Sequence, residues 1–461
     1  MNTSTLRLLA DARSAKAGGE QAMAARQGAR VSELVTWART HSPYYRRLYR
    51  DLPADAADLA LLPPTGKREL MAAFDDWVTD PAVTLAQARA FADDPARIGR
   101  PFAGRYTLST TSGTTGTHGI FLQDARATAV TSAMMARLLT GSLSVRDVAR
   151  IARGGGRVAL VIPEGGHFAS TVAAARLRGS SRVAAFSVHQ PLPDLVAELN
   201  DFRPAVLAPY ASVGALLAGE AEAGRLRINP ALVMLTAEGL PVGEYARVAA
   251  ALRAKVRTSY ACNECPFLSY GCSQSWMHLN ADWAVLEPVD EQYRPVAPGE
   301  PSHTVLLTNL ANRVQPILRY DLGDSVLLRP DPCPCGRAGP AVRVQGRAAD
   351  LLTFPGAGDE QATVTLAPLP LATLLEAVPG LELFQIVQTA PATLRVRLHP
   401  AHATLWHQAE VRLRDLLSRH GLGHVRLERG SEPIQHSPGG KVRAVIPFPA
   451  TGGNAAGSTL P

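Results

Sequence analysis

Residues 107–119 read TLSTTSGTTGTHG. Hydroxyl side chains and glycines follow one another with almost no bulk between them. Gly113 and Gly116 allow positive φ and a close approach of backbone to ligand. Ser109, Thr110, Thr111, Ser112, Thr114 and Thr115 surround an array of N–H donors with hydroxyls, a surface suited to polyphosphate oxygens. The stretch is not a Walker loop, because no Lys-Ser/Thr pair follows the glycines to reach β- and γ-phosphates.

Outward from this loop, short apolar runs alternate with helical segments. RVALVIP at 157–163 follows three glycines and reads as a buried strand. VAAFSV at 183–188, AVLAPY at 205–210 and ALVMLTAE at 231–238 repeat the pattern, with helical segments such as 191–200 and 211–223 between them. Strands alternating with helices predict an α/β fold, a parallel sheet with helices on both faces. HTVLLTN at 303–309 and SVLLR at 325–329 predict later strands of an antiparallel or barrel-like part. Residues 1–50 carry helical periodicity rich in Ala and Arg. After Gly346 the texture changes: LFQIVQ at 383–388, LRVRLHP at 394–400, a helical stretch at 404–419 and VRLERG at 425–430 predict a small α+β domain. The expected organisation is a large domain over 1–345, a small mobile α+β domain over 346–450 and a disordered tail over 451–461.

The 461 residues suffice for a large core and two domains. Hydrophobic residues make up 46% and charged residues 19%, ordinary values for a globular chain. No run of about 18 apolar residues occurs, so no membrane span is expected. No basic segment leads into an apolar core near the N-terminus, so no secretory signal is expected and the cytoplasm is the default location. The net charge of +7 is spread along the chain, which fits a solvated basic surface better than a nucleic-acid footprint.

Several short motifs carry chemistry. Tyr260-Ala261-Cys262-Asn263-Glu264 follows the strand-like KVRTS. Thr236-Ala237-Glu238 closes an apolar run, and Arg319-Tyr320-Asp321-Leu322-Gly323-Asp324 ends in a carboxylate able to accept two hydrogen bonds at once. Gly346-Arg347 lies at the expected domain junction, and Lys441 sits behind two glycines in PGGKVRAVI at 438–446. A hard cation takes oxygen ligands, so a carboxylate such as Glu264 beside a triphosphate is chemically sensible. His118, His167 and His436 are assigned no catalytic role. The five cysteines suggest metal or free thiols rather than disulfides in a cytoplasmic chain. Spacing alone allows a Cys₄ zinc site from Cys262-x-x-Cys265 and Cys333-x-Cys335.

From HSPYYRRLY at 41–49 through these motifs to PGGKVRAVI, the chain resembles the adenylate-forming enzymes: acyl-CoA synthetases, luciferases and peptide-synthetase adenylation domains. It most resembles the phenylacetate-CoA ligase branch. The resemblance implies that Ser109, Thr111, Ser112, Gly113, Thr114, Thr115 and Gly116 bind ATP phosphates. It implies that Ala237 and Glu238 flank the adenine, Tyr260 stacks on it and Asn263 contacts the α-phosphate. Glu264 then helps hold Mg²⁺, Asp324 grips the ribose, Arg347 contacts ribose or phosphate, and Lys441 is the catalytic lysine delivered by the small domain. The chain departs from the family at several positions. Thr117-His118 stands in place of a loop lysine, Ala261 in place of glycine, Asn263 in place of Thr/Ser and Ala349 in place of a hinge aspartate. Residues 353–358 differ from the branch's usual run as well.

The resemblance also offers a second zinc set, Cys272, His278, Cys333 and Cys335, beside the Cys₄ set. The implied activity is that of an ATP-dependent, AMP-forming acid–thiol ligase. A small carboxylic acid, an aryl or arylacetic acid as first guess, becomes an acyl-AMP and passes to CoA or to a phosphopantetheinyl carrier protein. Two other readings stay open on sequence: an amide ligase with an amine acceptor, and a non-catalytic nucleotide- or acyl-adenylate-binding protein.

Overall fold

The computed structural model describes residues 3–53, 58–111, 119–163, 166–177, 180–236, 242–300, 302–344, 352–356, 363–366, 368–381, 383–435 and 444–448. These form two compact units, the first built from residues up to 344 and the second from those after 351.

The first unit opens with helices Thr3–Ala17, Gly19–His41 and Pro43–Leu48. The last of these starts as its sequence dictates: Ser42 caps it by accepting from the Tyr45 N–H, and Pro43 takes a first-turn position whose N–H would have no partner. Next comes a hairpin, β1 Thr107–Thr110 and β2 Ile120–Gln123, paired antiparallel from Thr107 opposite Gln123 to Thr110 opposite Ile120. Then follow the strands of a parallel sheet: β3 Val158–Ile162, β4 Val183–Ser187, β5 Val206–Pro209, β6 Leu232–Leu235 and β7 Lys255–Thr258. Their order is β4-β3-β5-β6-β7 and every pairing is parallel. Helices Ala169–Arg176, Leu192–Phe202, Ala211–Glu222 and Val242–Ala251 make the crossovers. β6 is buried along its whole length, as a strand covered on both faces must be.

The expected barrel-like part consists of two antiparallel sheets. One has β10 Ala284–Val289, β11 Thr304–Asn309 and β12 Ile317–Asp321; the other has β8 Ser269–Gly271, β9 Met277–Leu279, β13 Val326–Leu328 and β14 Ala341–Val344, in the order β13-β14-β9-β8. No closed barrel forms among the described residues.

A run of aromatic rings ties the hairpin to β12. Trp77, fully buried, meets Phe121 edge-on at 6.2 Å, and Phe121 meets Tyr320 edge-on at 6.2 Å. The Trp77 indole N–H donates to the Pro316 carbonyl at 2.7 Å. Such edge-to-face pairs add about 0.5–1.5 kcal/mol each beyond the area they bury. They hold the hairpin rigidly against the strand that leads into Asp324.

The second unit has a four-stranded sheet in the order Arg426–Arg429, Thr393–His399, Leu383–Ala390, Val445–Ile446, and a hairpin of Leu352–Pro355 with Thr363–Leu366. Helix Ala403–Arg419 buries Leu405, Ala409, Leu413, Leu416 and Leu417, an i, i+4 stripe that joins Phe354, Ile386 and Val396 in a core of its own.

Candidate active site

In a parallel sheet the carboxyl ends of all strands share one edge, and ligands bind there where the strand order reverses. Here the reversal lies at β3, which pairs with both β4 and β5. Among the described residues, Thr110, Thr236, Tyr260, Asn263 and Asp324 lie at or next to this edge. The main chain of β1 reaches it: the Thr110 N–H donates to the His167 carbonyl at 2.7 Å, just beyond β3. Across the same crevice the Ser170 and Tyr210 hydroxyls lie 3.1 Å apart. Thr236, past the end of β6, bridges to Tyr210.

The mouth of the β1–β2 hairpin is pinned. The Thr111 N–H donates to the Gly119 carbonyl at 2.9 Å, and the Gly119 N–H to the Thr111 hydroxyl at 2.9 Å. A Cβ at position 119 would sit 2.6 Å from the Phe121 ring, so only glycine closes this mouth. Ser112, Gly113, Thr114, Thr115 and Gly116 lie between these pins and outside the described residues, as do Ala237, Glu238, Arg347 and Lys441.

β7 leads into Tyr260, whose backbone is clamped from both sides by one hydroxyl: Ser269 Oγ accepts from the Tyr260 N–H at 2.8 Å and donates to its carbonyl at 3.0 Å. The Tyr260 hydroxyl donates to Asp324 Oδ2 at 2.8 Å. Asn263 Nδ2 donates to the Thr110 carbonyl at 3.2 Å, joining this loop to β1. Asn309 Nδ2 donates to the Glu264 carbonyl at 2.7 Å and fixes that buried residue from β11. Residues spread from Thr110 to Asp324 thus converge on one place. Asn263 Oδ1 there, and Ser109 Oγ on the neighbouring strand β1, are buried without a hydrogen-bond partner. In the RYDLGD stretch the two aspartates divide their work. Asp321 accepts from the Gly323 N–H at 2.7 Å and from the Thr304 hydroxyl, holding the turn, while Asp324 faces Tyr260.

Burial and the Glu264 carboxylate push the Tyr320 phenol far above its ordinary range, so it stays protonated beside that carboxylate. Burial, then the Glu264 carboxylate, likewise raise the Cys262 thiol well above its ordinary value, leaving it unreactive. Tyr320, Asn309 and Ser269 were not marked as site residues in the sequence. Each acts through a partner more than eight residues away, and no local pattern records that. His167 is buried, with Nε2 3.2 Å from the Asp94 carbonyl, and burial lowers its pKa, so its ring is neutral.

The cysteines form a second cluster. β9 pairs with β8 and with β14, placing His278 opposite Tyr270 on one side and Ala341 on the other. Cys272 follows β8, and Cys333 and Cys335 lie in the β13–β14 connection, where Gly336 takes a φ of 72° and closes a tight turn. The ligand atoms of Cys272, His278, Cys333 and Cys335 lie within 4.8 Å of one another. The Cys272 and Cys333 Sγ atoms are 3.8 Å apart, and Cys335 Sγ is 3.2 Å from His278 Nε2. The Cys₄ alternative is not assembled among the described residues: Cys265 is fully buried in the main core, whereas Cys333 belongs to a separate small cluster with Trp276.

No protein-family model matches the chain, and no curated protein matches it by sequence. Solved structures do. 2-Hydroxyisobutyryl-CoA ligase in complex with 2-HIB-AMP and CoA, in the thioesterification state, aligns with a TM-score of 0.54 at 22% identity, over 91% of this chain and 88% of that one. The same ligase in its postadenylation state with R3-HIB-AMP gives 0.52 at 21% identity, over 93% and 89%. The fold of this chain is that of the adenylate-forming enzymes.

Proposed function

We propose that this chain is an ATP-dependent, AMP-forming acid–thiol ligase. The observation that carries the reading is the convergence of Thr110, Tyr260, Asn263, Glu264 and Asp324 next to the carboxyl edge of the sheet, with Asn263 Oδ1 buried there without a partner. In the first half-reaction an oxygen of the substrate carboxylate attacks the α-phosphorus of ATP; the bond to the β-phosphate oxygen breaks and pyrophosphate leaves. In the second, a thiol sulfur attacks the acyl carbonyl and AMP leaves. The acceptor is CoA or a carrier-protein phosphopantetheine, and an aryl or arylacetic acid is the first substrate class to try.

Tyr260 and Asp324 take the nucleoside, ring on adenine and carboxylate on the ribose hydroxyls. Asn263 and the loop of Thr111 to Gly116 take phosphate oxygens, with Ala237 and Glu238 beside the base and Arg347 at ribose or phosphate. Lys441, on a small C-terminal domain over 346–450, neutralises charge developing between carboxylate and α-phosphate. Glu264 supplies an oxygen ligand to Mg²⁺, which when bound offsets phosphate charge. The Cys272–His278–Cys333–Cys335 set fits structural zinc. Thiolates at about 2.3 Å from a tetrahedral ion stand about 3.8 Å apart, the distance between Cys272 and Cys333. Four protein ligands close the shell, so this ion holds β8, β9 and the β13–β14 connection together and takes no substrate.

The test is carboxylate-dependent ATP–pyrophosphate exchange over a panel of acids, run with and without CoA. Exchange with one acid class and thioester formation on adding CoA is the expected result. Exchange without thioester points to an amine acceptor, and ATP binding with no exchange for any acid overturns the catalytic reading.

A further inference from the structure

The carboxyl edge of the five-stranded sheet holds the candidate active site; the amino edge, about 15 Å away along strands of five residues, holds something else. A cleft of about 490 Å³ opens where β3, β5 and β6 begin, lined by Arg150, Arg157, Arg203 and Arg227 and by one carboxylate, Asp201. Four positive charges against one negative leave a local excess of three. Among the described residues none of the four guanidiniums is paired with a carboxylate, although the nearby Arg225 is paired with Glu220 and Arg247 with Glu222 and Glu244.

Two of the four guanidiniums, those of Arg150 and Arg157, are held in place by hydrogen bonds. Arg150 is held by neutral acceptors alone, through one terminal nitrogen: Asn229 Oδ1 at 2.8 Å, the Pro230 carbonyl at 3.1 Å and the Arg253 carbonyl at 3.3 Å. Arg157 Nε donates to the Arg203 carbonyl at 3.1 Å. Asn200 fixes the backbone bearing Arg227, accepting from the Arg227 N–H at 2.6 Å and donating to the Arg225 carbonyl at 2.9 Å. The bonds to Arg150 and Arg157 orient their charge without neutralising it, and those of Asn200 fix only the backbone that carries Arg227.

The backbone adds an independent sign. Arg203, which caps helix Leu192–Phe202, has φ 50°, and Arg253 has φ 48°. Both occupy the left-handed region, where glycine is unstrained and arginine is not. The two carbonyls that orient Arg157 and Arg150 belong to these two residues. A cation at a helix C-terminus interacts well with the helix dipole, which accounts for Arg203. It does not account for Arg157 at the start of a strand or Arg227 in a loop.

We propose that this cleft binds a small polyanion bearing two or more adjacent phosphate groups, at a site separate from the candidate active site. Guanidinium forks meet phosphate oxygens two at a time, which suits a diphosphate or triphosphate better than a lone carboxylate. A volume of about 490 Å³ admits a ligand larger than one phosphate ion. ATP, CoA and pyrophosphate share this chemistry.

Calorimetric titration with tripolyphosphate distinguishes this site from the nucleotide site. The wild type, the Asp324→Ala variant and the Arg203→Gln/Arg227→Gln double variant are compared, and ATP, CoA and orthophosphate are titrated in parallel to rank the sources. Both substituted arginines are exposed, and removing the Arg203 cation from the helix end should cost the double variant only about 1 kcal/mol or less, so it should stay folded. We expect Asp324→Ala to retain a tripolyphosphate site and the double variant to lose at least about tenfold in affinity for it. Arg203→Lys/Arg227→Lys should recover part of that loss. Tripolyphosphate binding that is unchanged in the double variant overturns the proposal. So does a result in which heparin binds through these arginines and tripolyphosphate does not, which would make the cleft a macromolecular contact.

Discussion

The cysteine–histidine cluster and the Tyr260–Asp324 cluster are both buried and both drawn from distant segments, yet their polar atoms are left in different situations. In the first, four ligand atoms face one another within 4.8 Å, close enough for a single ion to meet all four. In the second, Tyr260 and Asp324 engage each other, while Ser109 Oγ and Asn263 Oδ1 stay buried without a partner. A buried polar atom left unpaired costs about 1–3 kcal/mol. A ligand that paired these two atoms would recover that cost. On the proposed function, the closed cluster serves stability and the open one binding and chemistry.

The largest effect is expected on the closed side. Metal analysis should find about one zinc per chain. Cys333→Ser, Cys335→Ser, Cys272→Ser or His278→Ala should abolish it and lower stability by several kcal/mol, because binding free energy at such a site is folding free energy. Cys265→Ser separates the two effects. It puts a hydroxyl in the main core and should cost about 1–3 kcal/mol while metal content stays unchanged. Loss of zinc in Cys265→Ser with retention in Cys272→Ser would reverse the ligand assignment.

Next comes the chemistry assigned to the open side. Lys441→Ala should slow acyl-AMP formation by about 10²-fold or more while ATP binding and transfer from preformed acyl-AMP survive. Rapid-quench measurement of each half-reaction checks this, and equal loss in both removes the division of roles.

A smaller effect is expected from Tyr260→Phe. It keeps the ring and removes the hydroxyl that donates to Asp324, so ATP affinity should fall by about tenfold or less. Tyr260→Ala should cost more, since the stacking area goes too. Equal losses in the two variants would show that the ring contributes nothing.

Much of this was legible in the sequence because its signals are local. The apolar runs at 157–163, 183–188, 205–210 and 231–238 bracket β3 to β6 to within three residues, and β6, buried on both faces, is apolar in any frame. What was not legible is pairing at a distance. Choosing between the two cysteine sets needs the knowledge that β9 lies against β14, a contact across more than sixty residues. Ser269 holds Tyr260 through a hydroxyl nine residues on, and serine is too common for that to register. The barrel-like expectation had the right strands, but two open sheets and a closed barrel share the same alternation of residues.

The proposed nucleotide site depends most on Asp324 as the ribose ligand. The direct measurement is the ratio of affinities for ATP and 2′,3′-dideoxy-ATP in the wild type and in Asp324→Ala. Two charge-assisted hydrogen bonds at about 1.5–3 kcal/mol each should give the wild type a preference for ATP of about a hundredfold or more, and the variant should bind both nucleotides alike. A preference that persists undiminished in Asp324→Ala would contradict the assignment and with it the nucleotide site built around Tyr260.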